Sequence, residues 1–501
     1  MRIALIPMDS RPVNTFFPER LARVAGVTLV RPPLEALGSL RRGADGVALA
    51  RWLGDATRSS NGDDGCDVAV FSWDALIHGG LIQSRQWDCK ASLEPVATVL
   101  RAVDWNRVAG YAFITVPRLG ISILSSGDWG QHELVREYFI QWGRASNEPK
   151  ARERLLQLEE QLGKSVVDGL WTWRQRNLEL VKGVVELSHE LGLRHQHVAV
   201  EDNAPYGPHL LEVAELRHAT AKAAFRAGST SYSFFDGADE AGCMLLAHAI
   251  AKWKNLEPLP VQLTVHPTAP GADQYTGLYE SYTLGDGLTF LADMLSLSYR
   301  YDEQQHHWLV AHGVQPQPDV FAQPADVFDN PYLLPRRLLG NGSVFISDLC
   351  ACNGANPRLT EHLAGQGAMK LSGLVGFNTN FNTLALTAAW LRLAQDGDPA
   401  AARRFLLERL ADDVTYQSIA RPAVIEYLHG QKLDPLDFSE ANTVQTSECC
   451  QLVSRCWRSW CEGRGSGVLR AGGISPRQAL AMEFSFPWSR AFEILARAPS
   501  L

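Results

Sequence analysis

Eight times along this chain a short apolar run breaks off at a polar residue and gives way to a helical pattern or a long connection. The runs lie at 3–8, 68–73, 112–116, 197–200, 231–235, 261–265, 344–347 and 371–377, each of strand length. Near-continuous apolar strands suit a parallel sheet buried on both faces, and alternation with helices sets the class as α/β. The stretch His197-Val198-Ala199-Val200-Glu201-Asp202-Asn203 is the clearest case. Two adjacent carboxyls and an amide interrupt a buried strand, and Pro205-Tyr206-Gly207-Pro208 ends it in a turn.

Two architectures fit such alternation. An open doubly wound sheet decorates the strands near its switch point, whereas a barrel carries polar residues at the carboxyl end of every strand. The count of eight and the polar tip on each run favour a (β/α)8 TIM-like barrel over 1–395. A helical insertion falls at about 130–193, where Leu155, Leu158, Leu162 and Val166 keep helical spacing. Residues 284–313 read mainly as helix, 314–336 as a Pro-rich loop, and 396–501 as a helical C-terminal region without a strand.

Composition limits the function classes. The 501 residues are 46% hydrophobic and 20% charged, with a net charge of -8 and no long Lys/Arg block, so no nucleic-acid partner is expected. No run approaches the length of a membrane span. The opening Met1-Arg2-Ile3-Ala4-Leu5-Ile6 is too short for a secretory leader core and reads as the first strand. Nine cysteines, an odd number without framework spacing, point to reduced thiols and a cytoplasmic protein. Cys350 and Cys352, and the group Cys449, Cys450, Cys456 and Cys461, read as packing.

The rim candidates are Asp9, Arg11, Asn14, Asp74, Arg118, Glu201, Asp202, Asn203, Tyr206, Glu280, Asp348, Asn353, Asn378 and Asn382, with His78, Asp239, Glu240 and His266 beside them. Carboxylates and amides pair with vicinal hydroxyls, so this set suits a small carbohydrate. It lacks the Gly-rich loop followed by Lys-Ser/Thr that cradles phosphate, and no cofactor is expected. Glu201 and Asp202 weigh most, because crowding two carboxyls raises the pKa of one and sets an acid beside a base. Glycosidic cleavage needs that division. Their bland alternative is a strand end and a capped turn. Asp9 with Arg11 reads equally as an ion pair fixing the first loop, Asp239 as a helix cap, and Arg118 as a salt bridge within the rim. His195-x-His197 has ligand-like spacing but sits at the start of its strand, and no His-based metal site is expected. An all-oxygen site for Mg²⁺ or Ca²⁺ from Asp9, Asp74, Asp202 and Asp348 stays open.

Several motifs carry a family likeness. Pro7-Met8-Asp9-Ser10-Arg11-Pro12-Val13-Asn14, Gly79-Gly80-Leu81-Ile82-Gln83-Ser84-Arg85 and Asp202-Asn203-Ala204-Pro205-Tyr206-Gly207 resemble the bacterial family catalogued as domain of unknown function 4127. So do Gly237-Ala238-Asp239-Glu240, Asn353-Gly354-Ala355-Asn356-Pro357 and Phe377-Asn378-Thr379-Asn380-Phe381-Asn382. The likeness spans nearly the whole chain and implies a bacterial source, but no activity. The order of strand ends is also similar to glycoside hydrolase family 84, the substrate-assisted β-N-acetylglucosaminidases. That likeness implies a carboxylate pair at Glu201-Asp202, then Asp348 with Asn353, then Asn378 to Asn382. Where that family has Asp-Asp, this chain has Glu-Asp.

The expectation is therefore a hydrolase of glycosidic bonds. Asp202 and Glu201 would be catalytic, with Asp202 the general acid, and the other rim residues would bind substrate. A divalent-metal-dependent hydrolase of a small polar metabolite and a non-catalytic sugar-binding protein are the alternatives. The sugar, the stereochemical outcome and association with further copies of the chain stay open.

Overall fold

A computed structural model describes the chain except residues 59–64, 88–89, 226–229, 268–270, 301–305, 314–315, 322–341, 366–369 and 500–501. It divides into two compact units. The first comprises Met1–Ala22, Val27–Ala249 and Tyr279–Ser281; the second comprises Arg23–Gly26, Ile250–Leu278 and Tyr282–Leu501.

The first unit is built on six parallel strands: β1 (Arg2–Ile6), β2 (Thr28–Val30), β3 (Val68–Ser72), β4 (Ala109–Val116), β5 (His195–Val200) and β6 (Ser231–Asp236). Their order in the sheet is β2-β1-β3-β4-β5-β6. Every residue of β3 and β5 is buried, including the polar His195, Gln196 and His197 that precede the apolar part of β5. The chain places β2 on one side of β1 and all later strands on the other. Strand order therefore reverses between β1 and β3, which opens a crevice at their carboxyl ends.

The second unit has five parallel strands: β7 (Leu259–His266), β8 (Leu297–Tyr299), β9 (His306–His312), β10 (Ser343–Leu349) and β11 (Lys370–Val375). Their order, β8-β7-β9-β10-β11, repeats that of the first five strands of the other sheet. Here the reversal falls between β7 and β9.

The α/β class with parallel strands is as expected; the barrel is not what the strands form. Among the described residues they make two open sheets and no closed ring. The count of eight came from three omissions. Strands β2 and β8 are three-residue edges, too short to register as runs. Strand β9 begins with His306 and His307, whose polarity hid a strand inside a stretch read as helix. The C-terminal stretch is mostly helical, but it also contains a small antiparallel pair, Glu483–Ser485 with Leu495–Arg497.

The expected insertion is three helices, Trp129–Arg144, Pro149–Leu162 and Lys164–Glu190, between β4 and β5. They share an apolar cluster containing Val135, Tyr138, Phe139, Leu158, Leu170 and Trp173 with Leu119 and Ala204 from the strand-end loops. That cluster fixes the helices over the carboxyl edge of the first sheet.

One glycine shows how closely this edge is packed. Gly46 opens the helix Gly46–Thr57, and a Cβ there would lie 1.7 Å from the backbone oxygen of Leu76. Backbone cannot yield as a side-chain end does. Gly46→Ala is expected to cost about 2–4 kcal/mol by urea unfolding, a cost set by displacing one segment. An unchanged midpoint would show that the loop gives way freely.

Candidate functional site

In the first unit the loop after β1 is organised by Asp9, which is 1% exposed. It accepts Arg11 N (3.0 Å), Arg11 Nε (2.9–3.0 Å), Arg11 Nη2 (2.8 Å) and Asn14 Nδ2 (2.8 Å). Arg11 reaches on to Asp239 through Nη1 (3.0 Å) and Nη2 (2.7 Å). One guanidinium thus joins the loop after β1 to the loop after β6, with Asp239 as its partner there. Bidentate geometry of this kind is what arginine's planar fork provides.

Asp74 follows β3 and is 1% exposed. Its Oδ1 accepts the Thr115 hydroxyl at 2.7 Å and its Oδ2 the Thr115 N–H at 3.0 Å. The Gly80 N–H goes to its backbone oxygen, so the side chain is spent on β4 and not on the glycine turn. Burial pushes its pKa up to about 7, against the opposing pull of the Thr115 bonds and the Arg85 charge.

Glu201 and Asp202, at the tip of β5, each have an arginine. Arg85 pairs with Glu201 and Arg118 with Asp202. The expected crowding of two carboxyls is therefore relieved by one guanidinium apiece. Arg85 is drawn down from its ordinary value by burial and by the neighbouring Arg118 and Arg11, while Asp202 and Asp239 hold it up. Charged side chains from the loops after β1, β4, β5 and β6 thus act on this one arginine. Asp202 has a φ of +29°, a left-handed conformation that a non-glycine residue adopts at a cost. Its side chain is 23% exposed, whereas that of Glu201 is 7% exposed. Asp202 is the carboxylate of the pair that an incoming molecule can reach.

Other groups complete the setting. Asn203 takes its N–H to Tyr279 O (2.8 Å), and Asp236 accepts Ser281 N (2.7 Å) and Ser281 Oγ (2.8 Å). These bonds hold the segment Tyr279–Ser281 in this unit and bring buried Glu280 with it. Arg136 donates to Asn203 O at 3.4 Å and lies over the Tyr279 ring at 5.5 Å. His132 bonds Ile121 O at 2.7 Å and is pushed down to about 3 by burial and then by Arg118. Tyr206 stands apart, 45% exposed with Arg144 over its ring.

Sequence reasoning gave no role to Arg85, Arg136, His132 or Arg174. Arg174, 1% exposed on the helix Lys164–Glu190, pairs with Glu212 at 2.6 and 2.8 Å. It also donates to Pro117 O (3.2 Å) and Arg118 O (2.9 Å), and so props the loop that carries Arg118. Arg85 stood in the Gly79–Arg85 motif and could have been drawn from it. The other three lie in ordinary amphipathic helix, where nothing marks them.

The remaining candidates belong to the second unit. Asp348 is 1% exposed, accepts the N–H groups of Cys350 (3.1 Å) and Asn356 (2.7 Å), and is pushed up to about 6 by burial. Asn353 donates to both oxygens of Asp319 at 3.1 Å. Asn378 accepts Thr379 N at 2.9 Å, and Asn382 donates to Thr379 Oγ1 at 3.0 Å. The four-carboxylate metal set is not assembled. Asp9 is bound by Arg11, Asp202 by Arg118 and Asp74 by Thr115, and among the described residues no three His, Cys, Asp or Glu side chains are grouped to hold a metal ion. His195 and His197, at the amino end of β5, bond Ser231 and Ser233. No helix among the described residues is long and apolar enough to cross a membrane.

A family model described as "Protein of unknown function (DUF4127)" matches residues 3–497. No curated protein matches the chain.

Proposed function

Since the chain belongs to the DUF4127 family, whose description carries no activity, we propose from the geometry that it is a hydrolase of glycosidic bonds acting at the carboxyl edge of the first unit's sheet. The observation that carries this is a division among carboxyl groups. Asp74, pushed up to about 7, is available as a proton donor near neutrality, while Asp202 sits in an ion pair with Arg118 at a more open position. An acid and a charge-stabilised carboxylate are the two parts that such cleavage needs.

The roles differ from those expected of the sequence. Asp202 is the carboxylate that stabilises the developing positive charge of the sugar or attacks it. Asp74 supplies the proton to the leaving oxygen, with the Thr115 hydroxyl as its neighbour. Glu201 holds Arg85, and Arg11 with Asp9 and Asp239 braces the two flanking loops. Asn203 and Glu280 bind hydroxyls.

The test is turnover of a panel of 4-nitrophenyl glycosides, including the N-acetylhexosaminides, by the purified full chain. Asp202→Asn is expected to lower kcat on the best substrate by at least about 100-fold. The thermal midpoint should change little, because the side chain is partly solvated. Full activity in that variant, or no turnover of any glycoside by the wild type, overturns the proposal.

A further inference from the structure

The second unit repeats the strand-order reversal of the first, and the residues around its reversal are not those of a plain loop cluster. Tyr275 follows β7 and His312 ends β9, the two strands on either side of the reversal. Their rings lie 4.5 Å apart, centroid to centroid, at 35°. His312 is 8% exposed. Its Nδ1 lies 3.2 Å from Gly313 O, and a carbonyl can only accept, so the proton is on Nδ1. Burial, with the nearby His266 adding to it, pulls the imidazole's pKa down against the Gly313 bond and so favours the neutral ring. Nε2 therefore carries a lone pair, buried and without a hydrogen-bond partner among the described residues. Such an atom costs free energy unless something occupies it.

The surroundings are organised as a site would be. Gln317 joins the segments at the ends of β7, β10 and β11: its Oε1 accepts Leu278 N (3.0 Å), and its Nε2 donates to Leu349 O (2.9 Å) and Asn380 Oδ1 (2.6 Å). Asn353 and Asn378 hold φ angles of +60° and +80°, and Asn353 N donates to Asn378 O at 3.1 Å. The strain is maintained from the π-helical stretch Leu410–Ala420. Asp413 accepts Gly376 N with its side chain and Ala355 N with its backbone oxygen, both at 2.9 Å, and the following Arg421 donates to Asn353 O at 3.1 Å. π-Turns and strained asparagines recur at functional sites because something must hold them there.

We propose that the carboxyl edge of this sheet is a binding crevice of the second unit, for a small uncharged molecule that donates a hydroxyl or amide hydrogen to Nε2 of His312. The lining is an imidazole, an aromatic ring and amides, and the two charged groups beside it, Asp319 and Arg421, act on one another and both bond Asn353. A charged ligand would lose its hydration there without gaining a counter-ion.

The test is calorimetric titration of the full chain with D-glucose, N-acetylglucosamine and acetamide. Saturable binding of at least one is expected. It should weaken about tenfold or more in His312→Phe, which keeps a ring against Tyr275 but removes the acceptor, and stay within twofold in Asp202→Asn. Absence of saturable binding overturns the proposal, as does equal affinity in His312→Phe, or loss in Asp202→Asn alone. Should His312→Phe fail to fold, crystals of the wild type soaked with the same three probes decide. Density within hydrogen-bond distance of Nε2 supports the proposal, and density only elsewhere, or none, overturns it.

Discussion

Asp74→Asn is expected to lower kcat by about 10²–10⁴-fold on glycosides whose leaving group is an alcohol, the range a general acid contributes. On a 2,4-dinitrophenyl glycoside the loss should shrink to tenfold or less. A dinitrophenolate departs without a proton, so a missing donor matters little there. That contrast separates a proton donor from a residue that merely braces β3 against β4, which would depress both substrates alike. The pH profile gives a second readout. A carboxyl raised to about 7 is protonated below that pH and loses its proton above it, so the wild-type rate should fall as pH rises through about 7. In Asp74→Asn that limb should vanish. Equal losses on both leaving groups, with the limb retained, would remove Asp74 from the chemistry and leave it a structural link to Thr115.

Glu212→Ala is expected to be the most destabilising single change in the first unit, by about 3–5 kcal/mol. Arg174 is 1% exposed and keeps its charge when its partner is cut away. Two backbone oxygens, of Pro117 and Arg118, remain to it, and neither neutralises a buried guanidinium. Against a typical total of about 5–15 kcal/mol the loss is large, and urea unfolding at neutral pH reads it directly. The loop carrying Arg118 should loosen as well, so KM should rise even where the protein remains folded. Replacing both partners, as in Arg174→Met with Glu212→Leu, should recover much of the stability, because two apolar side chains leave no unpaired charge. Recovery of stability without recovery of KM would identify Arg174 as a positioning residue for Arg118. Glu212→Ala within about 1 kcal/mol of wild type would mean that water reaches the guanidinium.

Much of the local structure was legible because strand interiors advertise themselves. Val68–Ser72 is buried along its whole length and so is the apolar run Val198–Val200, as a parallel strand covered on both faces requires. The polar tips were legible for the same reason: Asp9, Asp74, Glu201 and Asp348 each interrupt such a run and lie at strand ends. Edge strands were not legible. Thr28–Val30 and Leu297–Tyr299 are short, and one side of each meets no partner strand, so they need no strong pattern. His306 and His307 concealed a central strand because a bond to Ser343 satisfies the first ring at the strand's start.

The sequence by itself determined the α/β class, eight of the strands in the two sheets, and which residues stand at the carboxyl ends of those strands. Burial along each run decides those. Tertiary structure alone decided that the strands close into two open sheets instead of one ring, since that depends on which edges pair. It also decided that Glu201 and Asp202 meet arginines from residues 85 and 118 rather than each other. A carboxyl's chemistry follows from the charge beside it and the water around it, and neither is written in its neighbours along the chain.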